Sequence, residues 1–157
     1  MNDPRTDGPM ICRPIGFVRT AVADDDIARQ RRELVSTIEV LPAYGAALQG
    51  IDAYSHLIVL FWMHRVQPGD TLTCHPRGDH ALPLTGVFAT RGRNHPNPIG
   101  LAVVELVECN TTALVVRRLD AYDGTPVIDI KPYDDYDSVA DPRVPAWFRR
   151  RARGATR

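Results

Sequence analysis

The sequence predicts a mainly β fold, a small barrel or strongly curved sheet with one short helix. Three observations lead there. First, β-branched runs alternate with turn residues, at Ile11 to Thr20, Val35 to Leu41, His56 to His64, Leu84 to Thr90, Leu101 to Cys109, Thr112 to Leu119 and about Pro126 to Ile130. Second, no long helical pattern separates these runs and no G-x-G-x-x-G turn occurs, which argues against a doubly wound nucleotide-binding fold. Third, 157 residues with 44% hydrophobic and 24% charged positions match one ordinary globular domain.

Taken in order, residues 1–10 are rich in Pro, Gly and Asp and read as a flexible leader, 11–137 as the folded domain and 138–157 as an Arg-rich tail. Pro42 at a first helical position and Gly50 after the end suit the short helix. In YSHLIVLFWMHR, Leu57, Val59, Phe61 and Met63 form an apolar face, while His56, Ile58, Leu60, Trp62 and His64 point the other way and the strand ends in His64 and Arg65. The apolar runs Leu101 to Leu106 and Ala113 to Val116, joined at Asn110, predict a hairpin buried on both faces or nearly so.

Several classes drop out on composition. The apolar run Leu57 to Met63 is far shorter than the roughly 20 residues that cross a bilayer, and the N-terminus lacks a signal-peptide core, so a cytoplasmic protein without a membrane partner is expected. Cys12, Cys74 and Cys109 are odd in number and widely spaced, as reduced thiols are. Cys74, His75, His80 and His95 cluster in sequence without C-x-x-C or H-x-x-x-H spacing, so no metal site is expected. Ser36, Ser55 and Ser138 sit in no G-x-S-x-G elbow. Net charge is zero, but seven aspartates and one lysine lie between Asp120 and Asp141, followed by six arginines from Arg143 to Arg157. Those arginines suit either phosphate contacts or a solvated tail.

Three segments can carry chemistry. In GVFATRGRNHPNPIGL a strand Gly86 to Thr90 runs into a loop stiffened by Pro96 and Pro98, which presents Arg91, Arg93, Asn94, His95 and Asn97 as a polar binding loop or a structural corner. In DAYDGTPVIDIKPY the pair Asp123 and Gly124 makes a tight turn into a strand on which Val127, Asp129 and Lys131 share a face. It reads as a ligand cradle or as a salt-bridged hairpin. The third is the strand ending in His64 and Arg65.

Together, G-V-F-A-T-R with P-N-P-I-G, D-G-T-P-V with D-I-K-P-Y, and the S-H-L strand ending in a His resemble the TsaA-like, or TrmO, family across residues 11 to 137. The resemblance implies a small antiparallel β-barrel with one or two short helices that dimerises and binds S-adenosyl-L-methionine near the subunit interface. It implies methylation of N6 of N6-threonylcarbamoyladenosine beside the tRNA anticodon, with tRNA as partner. By motif, cofactor binding is expected at Gln30, Arg31, Arg32, His64, Arg65, Arg91, Leu101, Gly124, Thr125, Pro126 and Val127. Substrate contacts are expected at Arg93, His95, Asn97 and Tyr133, and Asp129, His64 and Lys131 are the candidate catalytic groups. Two departures stand out: His95 replaces the family's Arg before Pro-Asn-Pro, and Gly92 follows Arg91 where the family has Ser or Ala. A binding or regulatory module for the same cofactor, a methyltransferase for a smaller substrate, and a plain nucleic-acid-binding barrel are the alternatives.

Overall fold

The chain is described by a computed structural model covering residues 10–67 and 71–148; most of the leader and the last nine residues of the Arg-rich tail lie outside the described residues. It divides into two units, one of Met1–Arg65 with Ile99–Tyr133 and one of Val66–Pro98 with Asp134–Arg157.

The first unit is a closed barrel of six antiparallel strands. They are β1 (Gly16–Arg19), β2 (Val35–Val40), β3 (His56–Trp62), β6 (Ile99–Cys109), β7 (Ala113–Arg117) and β8 (Pro126–Pro132), in the order β1-β2-β7-β6-β3-β8 with β8 pairing back to β1. Closure leaves no unpaired sheet edge. Alternation does the rest: Val18, Ile38, Leu57, Val59, Val104, Leu114, Val116 and Val127 point inward and are fully buried, each contributing about 1.5–3 kcal/mol. At Gly100 a Cβ would lie 2.2 Å from the Phe61 ring, so only glycine lets β6 lie against that side chain.

A seven-residue helix, α1 (Asp24–Gln30), stands between β1 and β2 where no helix was expected; Asp24, Asp25 and Asp26 favour its N-terminal turn and Ile27 is buried. Within Pro42 to Gly50 the helix is of the tighter 3-10 kind, over Pro42–Leu48. The hairpin at Asn110 forms as expected, with Asn110 Oδ1 accepting from the backbone N–H of Thr112 and Ala113 at 2.9 Å each.

Four expectations need correction. Leu101, Val103 and Val107 are 48%, 38% and 45% exposed, so β6 is buried on one face only, as in an antiparallel barrel with a single dry face. β3 stops at Trp62, and His64 lies in the following turn, its N–H donating to Trp62 O at 2.8 Å. Leu60 pairs with Asp129 but Phe61 with Val127, a bulge that skips Ile128. Val127 therefore faces the core, while Asp129 and Lys131 face outward together. Finally, Leu84 to Thr90 is no long strand.

That segment belongs to the second unit. There β4 (Thr73–Cys74) and β5 (Thr85–Gly86) pair as a two-residue ribbon, followed by a 3-10 turn over Val87–Ala89. Val87 is buried and its N–H donates to Leu72 O at 3.0 Å.

Candidate functional site

Antiparallel order gathers the ends of β1, β3 and β7 and the starts of β2, β6 and β8 at one rim of the barrel. Segments far apart in sequence meet there: the α1 connection, the turn after β3, and the link from β7 to β8.

The link is built on a β-turn from Tyr122 to Thr125, whose Thr125 N–H donates to Tyr122 O at 3.2 Å. Its third position needs positive φ, and Gly124 supplies +74°. Nothing lies within 4 Å of where a Gly124 Cβ would be, so the backbone is open on that side. The turn is tied to β1: Gly124 N–H donates to Val18 O at 2.8 Å, Val18 N–H to Thr125 O at 2.9 Å, and Thr20 N–H to Asp123 Oδ1 at 3.1 Å. Thr125 and Val127 are buried.

Arg65 is held beside this turn. Its guanidinium pairs with the Asp24 carboxylate, lies 4.8 Å from the centre of the Tyr122 ring, and makes a long contact from Nη2 to Asp123 O at 3.5 Å. Its Nε also approaches His64 Nε2 at 3.4 Å, a geometry that uses His64 as acceptor and therefore as the neutral ring. Partial burial, then the Arg65 charge, hold the His64 pKa below its ordinary value, with Asp24 opposing.

Gln30, Arg31 and Arg32 are exposed at the end of α1, where Glu33 and Leu34 N–H groups donate to Gln30 O at 2.8 and 2.9 Å. The Leu34 carbonyl accepts from Arg118, a non-glycine residue at φ +78°. Burial raises the Asp120 pKa, and the Arg31 charge opposes that shift in part. Leu101, near the start of β6, points outward opposite Leu60.

The remaining candidates lie elsewhere. Asp129 and Lys131 form an ion pair of 2.8 Å on the outer barrel face, and Asp129 Oδ1 also accepts from Ile130 N–H at 2.9 Å. Tyr133 lies at the opposite end of the barrel, donating its N–H to His56 O at 3.1 Å. That end is separated from the rim by the length of β3, roughly 20 Å for seven residues. Arg91, Arg93 and Asn97 are exposed in the second unit and His95 is half-buried there. Two shallow clefts, one by Tyr54 and Val107 and one by Leu48 and Asn110, hold none of the candidate site residues. Among the described residues no group of three or more His, Cys, Asp or Glu is placed to hold a metal.

Asp24, Arg118 and Tyr122 were not singled out from the sequence. Tyr122 was findable, since it directly precedes the Asp-Gly pair; Asp24 became relevant only through an ion pair across 41 positions.

A family model described as the tRNA-methyltransferase O N-terminal domain matches residues 24–138. The chain belongs to this TrmO family. A relative from Archaeoglobus fulgidus, named S-adenosyl-L-methionine-binding protein, is 44% identical over 127 residues, 79% of this chain and 89% of its own. The Escherichia coli tRNA (adenine(37)-N6)-methyltransferase is 44% identical over 92 residues, 55% of this chain and 39% of the enzyme. A solved TrmO structure from Pseudomonas aeruginosa matches with a TM-score of 0.71 and 35% identity, over 89% of this chain and 62% of that one. The chain thus spans less than two thirds of these last two proteins.

Proposed function

We propose that this TrmO-family chain is an S-adenosyl-L-methionine-dependent methyltransferase acting on N6 of the N6-threonylcarbamoyladenosine beside a tRNA anticodon. The observation that carries the reading is the convergence, on one barrel rim, of Gln30, Arg31, Arg32, His64, Arg65 and the Gly124 turn. These residues fit the cofactor. Open space at Gly124 lets a ligand approach the backbone, Thr125 to Val127 anchor the turn, Leu101 offers an apolar surface, and Arg65 supplies a cation for the amino-acid carboxylate. Arg91 is assigned to the same cofactor by its motif.

When bound, the cofactor supplies an activated methyl on sulfonium sulfur. Most of the acceleration then comes from holding the acceptor nitrogen in line at about 3–3.5 Å. That nitrogen belongs to a urea and is a weak nucleophile, so a base that takes or orients its proton helps. Asp129, whose β3 partner Leu60 in turn pairs with Leu101, is assigned this role, with Lys131 beside it as its ion-pair partner; His64 is the other candidate, taking the proton at Nε2 in place of its long contact with Arg65. Arg93, His95, Asn97 and Tyr133 are assigned to the RNA.

The reading includes a homodimer working in the cytoplasm. Trp62, Ile99, Leu60, Leu101, Ile58 and Val103 form paired rows on the outer face of β3 and β6, an apolar strip of the kind that a second subunit covers. Light scattering giving twice the chain mass supports it; a monomer removes it.

A binding module without catalysis is the second reading, favoured by the A. fulgidus relative of similar length that is named for binding alone. One experiment separates them: labelled S-adenosyl-L-methionine with tRNA from cells lacking the family enzyme. Label in the tRNA supports the methyltransferase. Tight cofactor binding without transfer leaves the module.

A further inference from the structure

The segment between β5 and β6 exposes an aromatic ring that the site described above does not use. Phe88 is 79% exposed, yet its backbone is firmly held. It sits in the middle of the Val87–Ala89 turn, where Val87 is buried and Thr90 donates to Val87 O from both its N–H, at 3.0 Å, and its hydroxyl, at 2.8 Å. The His95 ring meets it edge-on at 5.8 Å and 64°, a contact that favours one orientation of the ring while leaving most of its surface open. His95 Nε2 is itself buried without a hydrogen-bond partner among the described residues. The flanking sequence carries charge of one sign. From His80 to Val104 the chain contains Arg91 and Arg93 and no Asp or Glu.

A rigid, exposed aromatic ring on a cationic segment suits a ligand with flat π faces and negative charge, the chemistry of single-stranded nucleic acid. We infer that Phe88 is a stacking platform for an unpaired base of the anticodon loop, with Arg93 neutralising a neighbouring phosphate. The inference rests on the tRNA reading above and adds the residue that grips the loop. Exposed Leu72 and Leu84 in the same unit make a protein contact the competing use of the ring.

The test measures binding and steady-state methylation of an anticodon stem-loop RNA carrying the modified adenosine, with calorimetric S-adenosyl-L-methionine binding as the control for folding. Phe88→Ala is expected to weaken RNA binding and raise the RNA KM roughly ten- to a hundredfold. Phe88→Trp should retain near-wild-type binding, and Phe88→Leu, apolar but without a π face, should behave as Ala. Wild-type-like RNA affinity in Phe88→Ala or Phe88→Leu overturns the platform and leaves the tRNA reading standing. A wild-type protein that binds cofactor but neither binds nor methylates the RNA overturns both. A change of mass in light scattering for Phe88→Ala, with RNA affinity unchanged, assigns the ring to a protein contact instead.

Discussion

The barrel rim and the segment from β4 to β6 present their functional residues by different physics. At the rim, side chains stand on strand ends whose positions follow from ladders between residues 18 to more than 100 positions apart, and charges meet opposite charges, as Arg65 meets Asp24. In Val66–Pro98 the ribbon is two residues long, the scaffold is short-range turns around Val87, Pro76 and Pro98, and cationic and aromatic groups face solvent. A sheet built from distant strands holds a small ligand's partners at fixed spacing. Local turns hold a single ring or guanidinium, enough for a partner that brings its own rigidity.

The contrast can be broken in several ways. The largest expected effect is on turnover: Asp129→Asn should lower kcat by about a hundredfold or more while cofactor affinity stays nearly intact, and unchanged turnover would remove Asp129 from the base role. Next come two glycines. Gly100→Ala drives a Cβ into the Phe61 ring and should cost about 1–3 kcal/mol in urea unfolding. Gly92→Ala, whose Cβ would sit 3.5 Å from Thr90 Oγ1, should stay within about 0.5 kcal/mol. Equal costs would mean that the two regions are packed alike. Arg65→Ala should weaken cofactor binding about tenfold by calorimetry, whereas Arg93→Ala should leave it unchanged and flatten the salt dependence of RNA binding.

The smallest effect is a pH dependence at the rim. The folded state keeps His64 neutral to a lower pH than the unfolded chain does, so below about pH 6.5 the unfolded chain binds a proton that the folded one refuses, and stability falls as pH falls. Asp120, with its pKa raised, acts with the opposite sign in a more acidic window, where the folded state takes up its proton first. Thermal unfolding of His64→Asn between about pH 7 and about pH 5.5 should lack the His64 part of the decline. An undiminished decline would place its origin elsewhere.

Much of the barrel was legible because period-two alternation is a local signal. Leu57, Val59 and Phe61 announced the core face of β3, and Asn110 announced its hairpin. What failed, failed where a distant partner decides. Val127 changes face relative to Asp129 because β3 and β8 slip past Ile128, and nothing in P-V-I-D-I-K announces a bulge. Leu84 to Thr90 looked like a strand, but a strand needs a neighbour, and β4 offers two residues. Helix α1 was hidden because seven residues with one buried side chain carry no visible period. Within the site, the Asp-Gly turn could be read directly, whereas the meeting of Arg65 with Asp24 and Tyr122 could not.

By itself, then, the sequence determined which segments form the six strands of the barrel, where the tight turns fall, and which motifs mark the chain as a TrmO relative, because alternation, turn chemistry and motif spacing are carried by neighbouring residues. Only the tertiary structure decided which motifs share a rim, that Tyr133 stands at the other end, that Asp129 faces outward, and that Phe88 is left in solvent. Those outcomes depend on strand order, register and closure, which are settled by pairings between residues far apart along the chain.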